Sequence, residues 1–155
     1  MDQEIIRSIN SELSCLLAQH QFILLTFDER KICGFGLAQL EYEDRGSTSL
    51  IWQNEKLFLE IYSDPQGGET NCRIAPKPSN TIGLSGQIVW KYLYELVPLS
   101  AEELSNIQTR RRSHLEQLEM IRGKLAIGLH SVLAAEGNQT LGALVRNRNQ
   151  EVFTK

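Results

Sequence analysis

From Ser100 to Gly137 the chain contains no proline, and Leu104, Ile107, Leu115, Leu118, Ile121, Leu125, Leu129 and Val132 recur mostly every three or four positions. That spacing gathers apolar side chains on one side of an α-helix, and Ser100 with Glu103 forms a capping box at its start. One helix of about 35 residues would extend about 52 Å, whereas a compact domain of this size is about 40 Å across. The excess has two resolutions. The helix breaks at Gly123 or Gly128, where glycine costs about 1 kcal/mol relative to alanine, or it overhangs and is covered by another chain. The second is the expectation here: self-association into a homodimer through Leu115, Leu118, Ile121, Leu125, Gly128, Leu129 and Val132. The small residues Gly123, Ala126, Gly128, Ser131, Ala134 and Ala135 would permit close approach. The competing reading is packing of the same stripe against the chain's own sheet.

Upstream, Ile5, Ile6, Ile9, Leu13, Leu16 and Leu17 predict an N-terminal helix capped by Asp2. The apolar run at 22–27, bounded by the charged turn at 28–31, predicts a buried strand. Segments 32–42, 48–52, 56–63 and 70–75 read as further strands joined by hairpin connections. In the third of these, Leu57, Leu59 and Ile61 share one face, and Phe58, Glu60 and Tyr62 share the other, so one face should be covered and one partly wet. A core of Ile9, Leu13, Leu16, Leu24, Phe27, Leu57, Leu59 and Ile61 follows. Ile88, Val89, Tyr92, Leu93 and Leu96 suggest a second helix over 84–97, stopped by Pro98.

Charge restricts the partners. Residues 1–99 carry 8 basic and 13 acidic groups, and residues 100–155 carry 8 and 6. Proteins that bind nucleic acid mainly by neutralising phosphates show a basic excess on the binding domain. Here the triplet Arg110, Arg111 and Arg112 sits in a segment whose acids balance its bases, and consecutive helical residues point about 100° apart. The triplet therefore reads as a solvated, salt-bridged helix surface, with Arg112 near Glu116 and Glu119 near Arg122. Nucleic-acid regulation through these arginines, aided by Arg146 and Arg148, is the alternative. A third reading is a small anion-binding or enzymatic domain using the loop 77–86, where Lys77 and Ser79 precede a predicted helix. No glycine fingerprint, P-loop, HExxH or paired-cysteine spacing occurs, so no cofactor or metal is expected. Cys15, Cys33 and Cys72 read as small buried hydrophobes, and acids such as Glu41, Asp44, Glu60 and Asp64 as solvated hairpin ends.

Together these elements predict a single α+β domain over 1–155: an antiparallel meander of about five strands, an N-terminal helix, and a C-terminal helical half containing one long helix. Residues 138–155 would form a short helix or tail. The outline is similar, in architecture alone, to type III secretion chaperones and toxin-immunity proteins, which work by binding another protein. The expectation is a non-enzymatic protein-binding module, an adaptor, chaperone or inhibitor, in the cytoplasm and without a membrane segment.

Overall fold

The computed structural model describes residues 3–33, 35, 47–64, 68–77, 90–109 and 112–134, without the side chains at 27, 31, 108, 109 and 131–134. Helix α1 (Gln3–Gln19) buries Ile9, Leu13 and Leu17, which lie four apart along one line. The expected cap, Asp2, lies outside the described residues. The helix ends in a Schellman turn: Phe22 N–H donates to the Leu17 carbonyl at 2.9 Å, and Gln21 N–H donates to that of Ala18 at 3.0 Å. Gln21 supplies the left-handed residue at φ 64°. Phe22 and Leu17 then meet in the core, the apolar contact that accompanies such turns.

The next strand is much shorter than expected. β1 is only Ile23–Leu24, and its side chains are 68% and 41% exposed. Among the described residues it pairs only with β2, at the edge of the sheet. Leu24 therefore leaves the expected core, and the side chain of Phe27 lies outside the described residues. The presumed turn at 28–31 is instead part of α2 (Phe27–Ile32). Thr26 Oγ1 accepts the Glu29 N–H at 3.2 Å while Glu29 Oε1 accepts the Thr26 N–H at 3.1 Å, a capping box. Ile32, placed at the start of a strand by the sequence reading, belongs to this helix. Most of that predicted strand, 34 and 36–42, is outside the described residues.

β2 (Thr48–Gln53), β3 (Leu57–Asp64) and β4 (Glu69–Pro76) form the predicted antiparallel meander, and β5 (Lys91–Tyr92) completes a sheet in the order β1-β2-β3-β4-β5. At the β2–β3 turn, Asn54 Oδ1 accepts the N–H groups of Lys56 and Leu57 at 2.9 and 2.8 Å. Its Nδ2 donates to the His20 carbonyl at 3.1 Å. The end of α1 and the hairpin are thereby tied by one side chain.

One sheet face carries Leu50, Trp52, Leu57, Leu59, Ile61, Cys72 and Ile74, packed in one core with the apolar sides of α1 and of α5, described below. The opposite face was expected to be partly wet. It is covered instead by a second cluster of Leu25, Phe35, Ile51, Phe58 and Ala75, with Cys33 and Trp90 against it. Glu60 lies here, 1% exposed in the central strand rather than at a solvated hairpin end. Its carboxylate accepts Arg73 Nε at 2.7 Å, a second bond from Arg73 Nη2, and Ser49 Oγ at 2.8 Å. Arg30 Nη2 donates to the Ser49 carbonyl at 2.6 Å. Placing a carboxylate inside a sheet layer is expensive unless it is paired and hydrogen-bonded, and these bonds meet that condition.

The segment 84–97 is not one helix. Residues 84–89 lie outside the description, Lys91 and Tyr92 pair with β4, and only α3 (Leu93–Leu96) is helical. Tyr92 sits opposite Arg73 in the ladder, consistent with the strand preference of its aromatic ring. The long helix also divides. α4 spans Ala101–Thr109 and α5 spans His114–Ala134. Arg112 and Ser113 are non-helical, and α5 runs unbroken through Gly123 and Gly128: Ser113 Oγ accepts the Glu116 N–H at 3.2 Å and caps a new helix. At about 31 Å, α5 no longer outgrows the domain.

Candidate functional site

The two C-terminal helices form a hairpin braced by charge. Ser100 and Glu103 make the predicted reciprocal capping box, at 2.9 and 3.1 Å. Lys124 on α5 reaches Glu103 at 2.7 Å and also donates to the Pro98 carbonyl at 3.2 Å. This ammonium, with the backbone N–H of Ser100 behind it, holds the Glu103 carboxyl at about 2, well below its ordinary 4.5. Arg122 reaches across to Glu12 of α1 at 3.0 Å rather than back to Glu119.

Arg112 lies at the hinge between the helices, half-buried. Its Nη1 donates to the Met120 thioether at 3.2 Å and its Nη2 to the Glu103 carbonyl at 3.5 Å. Nε is buried without a hydrogen-bond partner among the described residues. The expected pairing with Glu116 is replaced by these two contacts. Met120 and Arg112 separate two depressions. The outer one, about 500 Å³, is bordered by Glu103, Glu116, Glu119, Lys124 and Ile127. The inner one, about 400 Å³, lies between the β3–β4 turn, α3, α4 and α5.

The inner cleft has a fixed floor. Gln117 Oε1 accepts the Thr70 N–H at 2.7 Å, and its Nε2 donates to the carbonyls of Gly68 at 2.9 Å and Arg112 at 3.3 Å. His114 Nδ1 lies 2.7 Å from Thr70 Oγ1, so the first turn of α5 is fastened to the sheet. Tyr94, Leu99, Ile107 and Met120 supply the apolar walls. Burial, and secondarily the nearby Cys72 sulfur, pushes the Tyr94 hydroxyl up to about 12, so it remains a neutral phenol at physiological pH.

The residues proposed for self-association are divided by this geometry. Leu118, Ile121 and Leu125 are fully buried and Leu129 is 1% exposed, all within the core shared by the sheet and α1. Gly128 is buried too: a Cβ there would lie 2.8 Å from Val97 Cγ2, so its missing side chain admits the segment after α3. The small residue serves close packing, but within the chain. Leu115 is 51% exposed, and the Val132 side chain is outside the described residues. The overhang that called for a second chain disappears once the helix breaks and α5 lies on its own sheet.

Of the anion candidates, Arg110, Arg111 and Ser79 lie outside the described residues. Lys77 donates to Gln53 Oε1 at 3.1 Å and to the Asn54 carbonyl at 3.3 Å, and its Nζ stands 5.4 Å from the centre of the Phe58 ring. Among the cysteines only Cys72 is buried and Cys33 half-buried, burial raising both thiols above 9.0; Cys15 is exposed, contrary to expectation. No group of three or more His, Cys, Asp or Glu among the described residues is arranged to hold a metal. No helix among them is long and apolar enough to cross a membrane. Tyr94, Leu99 and Gln117 were missed by the sequence reading, because they come together only when α3 and α5 meet the same end of β4. No family model, curated protein or solved structure matches this chain.

Proposed function

We propose that the protein is a non-enzymatic protein-binding module that receives its partner on the outer surface of the α4–α5 hairpin. The observation that supports this reading is the state of α4. A nine-residue helix is marginal on its own and depends on packing of its apolar side. Yet Leu104 and Ile107 remain 46% and 39% exposed, and none of the described α4 side chains is buried. Ile127, on the adjacent α5, is 62% exposed. Ile107 lines the inner cleft, whereas Leu104 and Ile127 lie outside it and suit a partner's apolar surface, and the interface expected on the buried stripe of α5 moves to the outside of the helices. A second copy of the chain is one candidate partner; the homodimer expected from the sequence is retained only through this outer surface.

The test compares the unmodified chain with Leu104→Asp and Ile127→Asp, neither of which touches the inner cleft. Light scattering at tens of micromolar reads self-association, and pull-down from the source cells with mass spectrometry reads other partners. Loss of a specific partner in both variants, with unchanged circular dichroism, is the expected result. Equal capture by variant and wild type would move the interface elsewhere, and a monomer with no specific partner would end the protein-binding reading.

A further inference from the structure

We propose that the inner cleft binds a small amphipathic monocarboxylate, its carboxylate on the Arg112 guanidinium and its apolar body against Tyr94, Leu99, Ile107 and Met120. A guanidinium carries five N–H donors and no acceptor. Here the acceptors are a thioether and one carbonyl at 3.5 Å, the outer limit of a hydrogen bond, and no described carboxylate pairs with it. Half-buried and so weakly satisfied, Arg112 favours an acceptor that meets its fork with two parallel bonds, as a carboxylate does. The cleft is of ligand size: about 400 Å³, within the roughly 300–1,000 Å³ range of small-molecule sites.

Charge decides which anion. Among the described residues, Arg112 is the only lysine or arginine lining the cleft, and Glu69 also lines it. One positive charge opposed by one negative charge accommodates a monoanion and disfavours a dianionic phosphate. The floor is already organised, because Gln117 is committed to three bonds and holds the turn before β4 against α5. Tyr94 adds a neutral hydroxyl beside an apolar wall. Ile107 lies on α4 and lines this cleft, but Leu104 and Ile127, whose substitution tests partner binding on the outer surface, do not, so the two readings are tested separately.

A carboxylate joined to an apolar body is found both in a free acid and at the C-terminus of a peptide. The full chain is therefore titrated by calorimetry with octanoate, octan-1-ol and octyl phosphate, and with acetyl-Gly-Gly-Leu as free acid and as amide. Backbone amide shifts are followed on the unmodified protein. At least one carboxylate should bind tenfold or more tighter than its neutral counterpart, with octyl phosphate no tighter than octanoate. The shifts should concentrate at Asn71, Tyr94 and Gln117. Whichever carboxylate binds identifies the source. Arg112→Gln should weaken that binding at least tenfold, and Arg112→Lys, which keeps the charge and loses the fork, should restore only part of it. Equal binding of acid and neutral probe, or shifts confined to other surfaces, would overturn the proposal. So would undiminished binding by a folded Arg112→Gln variant.

Discussion

Glu60 is the residue whose environment departs furthest from what its chemistry suggests. Its side chain is 2% exposed, and the Arg73 guanidinium that pairs with it is itself flanked by the rings of Trp90 and Tyr62 at 5.0 and 5.8 Å. A buried pair of this kind is close to neutral overall but costly to break from one side, because the surviving charge remains desolvated. Arg73→Ala should therefore lower stability by about 3–5 kcal/mol, read as a fall in the urea midpoint. The double replacement Glu60→Met with Arg73→Leu should recover most of that loss. A single substitution that costs no more than a surface pair, about 0–1 kcal/mol, would show that water reaches Glu60. Strand alternation placed Glu60 on the right face; it could not reveal that Phe35 and Trp90 close over that face, because both arrive from other parts of the chain.

Among the elements, those encoded by neighbouring residues were the most legible. The α1 periodicity, the three long strands and the Ser100–Glu103 box follow from spacing alone. Two further signals of the same kind lie in the sequence: Thr26 with Glu29 starts α2, and Ser113 with Glu116 starts α5. The apolar spacing also lapses between Ile107 and Leu115, which is where the long helix divides. Glycine does not mark that break, because α5 tolerates both of its glycines for different reasons. A Cβ at Gly123 would meet nothing within 4 Å, whereas at Gly128 it would press on Val97. Gly123→Ala should stabilise by up to about 1 kcal/mol through helix propensity, and Gly128→Ala should forfeit that gain or reverse it. Equal stabilisation by both in thermal melts would mean that Val97 moves aside freely. The hairpin brace has its own pH signature. Because the folded Glu103 carboxyl lies near 2 and the unfolded one near 4.5, its contribution is complete above about 4.5 and is lost as pH falls toward 2. The stability difference between wild type and Glu103→Gln should shrink over that window; a difference constant with pH would show that Lys124 does not hold the carboxylate.

At the scale of the molecule, α1, α5 and one sheet face share a single core, so the helical half cannot be separated from the front half. Leu125 tests this most directly. Were the α5 stripe an interface between chains, Leu125→Lys would give a folded monomer. In the structure Leu125 is fully buried among α1 and sheet residues, and a lysine there must either carry an unpaired charge into the core or drive α5 off the sheet. Either costs several kcal/mol, against a total stability of about 5–15 kcal/mol for a domain of ordinary size. The variant should therefore be largely unfolded at 25 °C. Because the core is shared, tryptophan fluorescence and far-ultraviolet circular dichroism should report its loss together. Trp52 lies in that core and Trp90 against the cluster on the opposite sheet face, so both layers are visible to fluorescence. If the variant instead stays folded, with a urea midpoint near that of the wild type and a halved mass by light scattering, the stripe is a surface and α5 does not pack as described. If only the helical signal is lost while both tryptophans keep their native emission, the sheet folds without α5 and the shared core is not a cooperative unit.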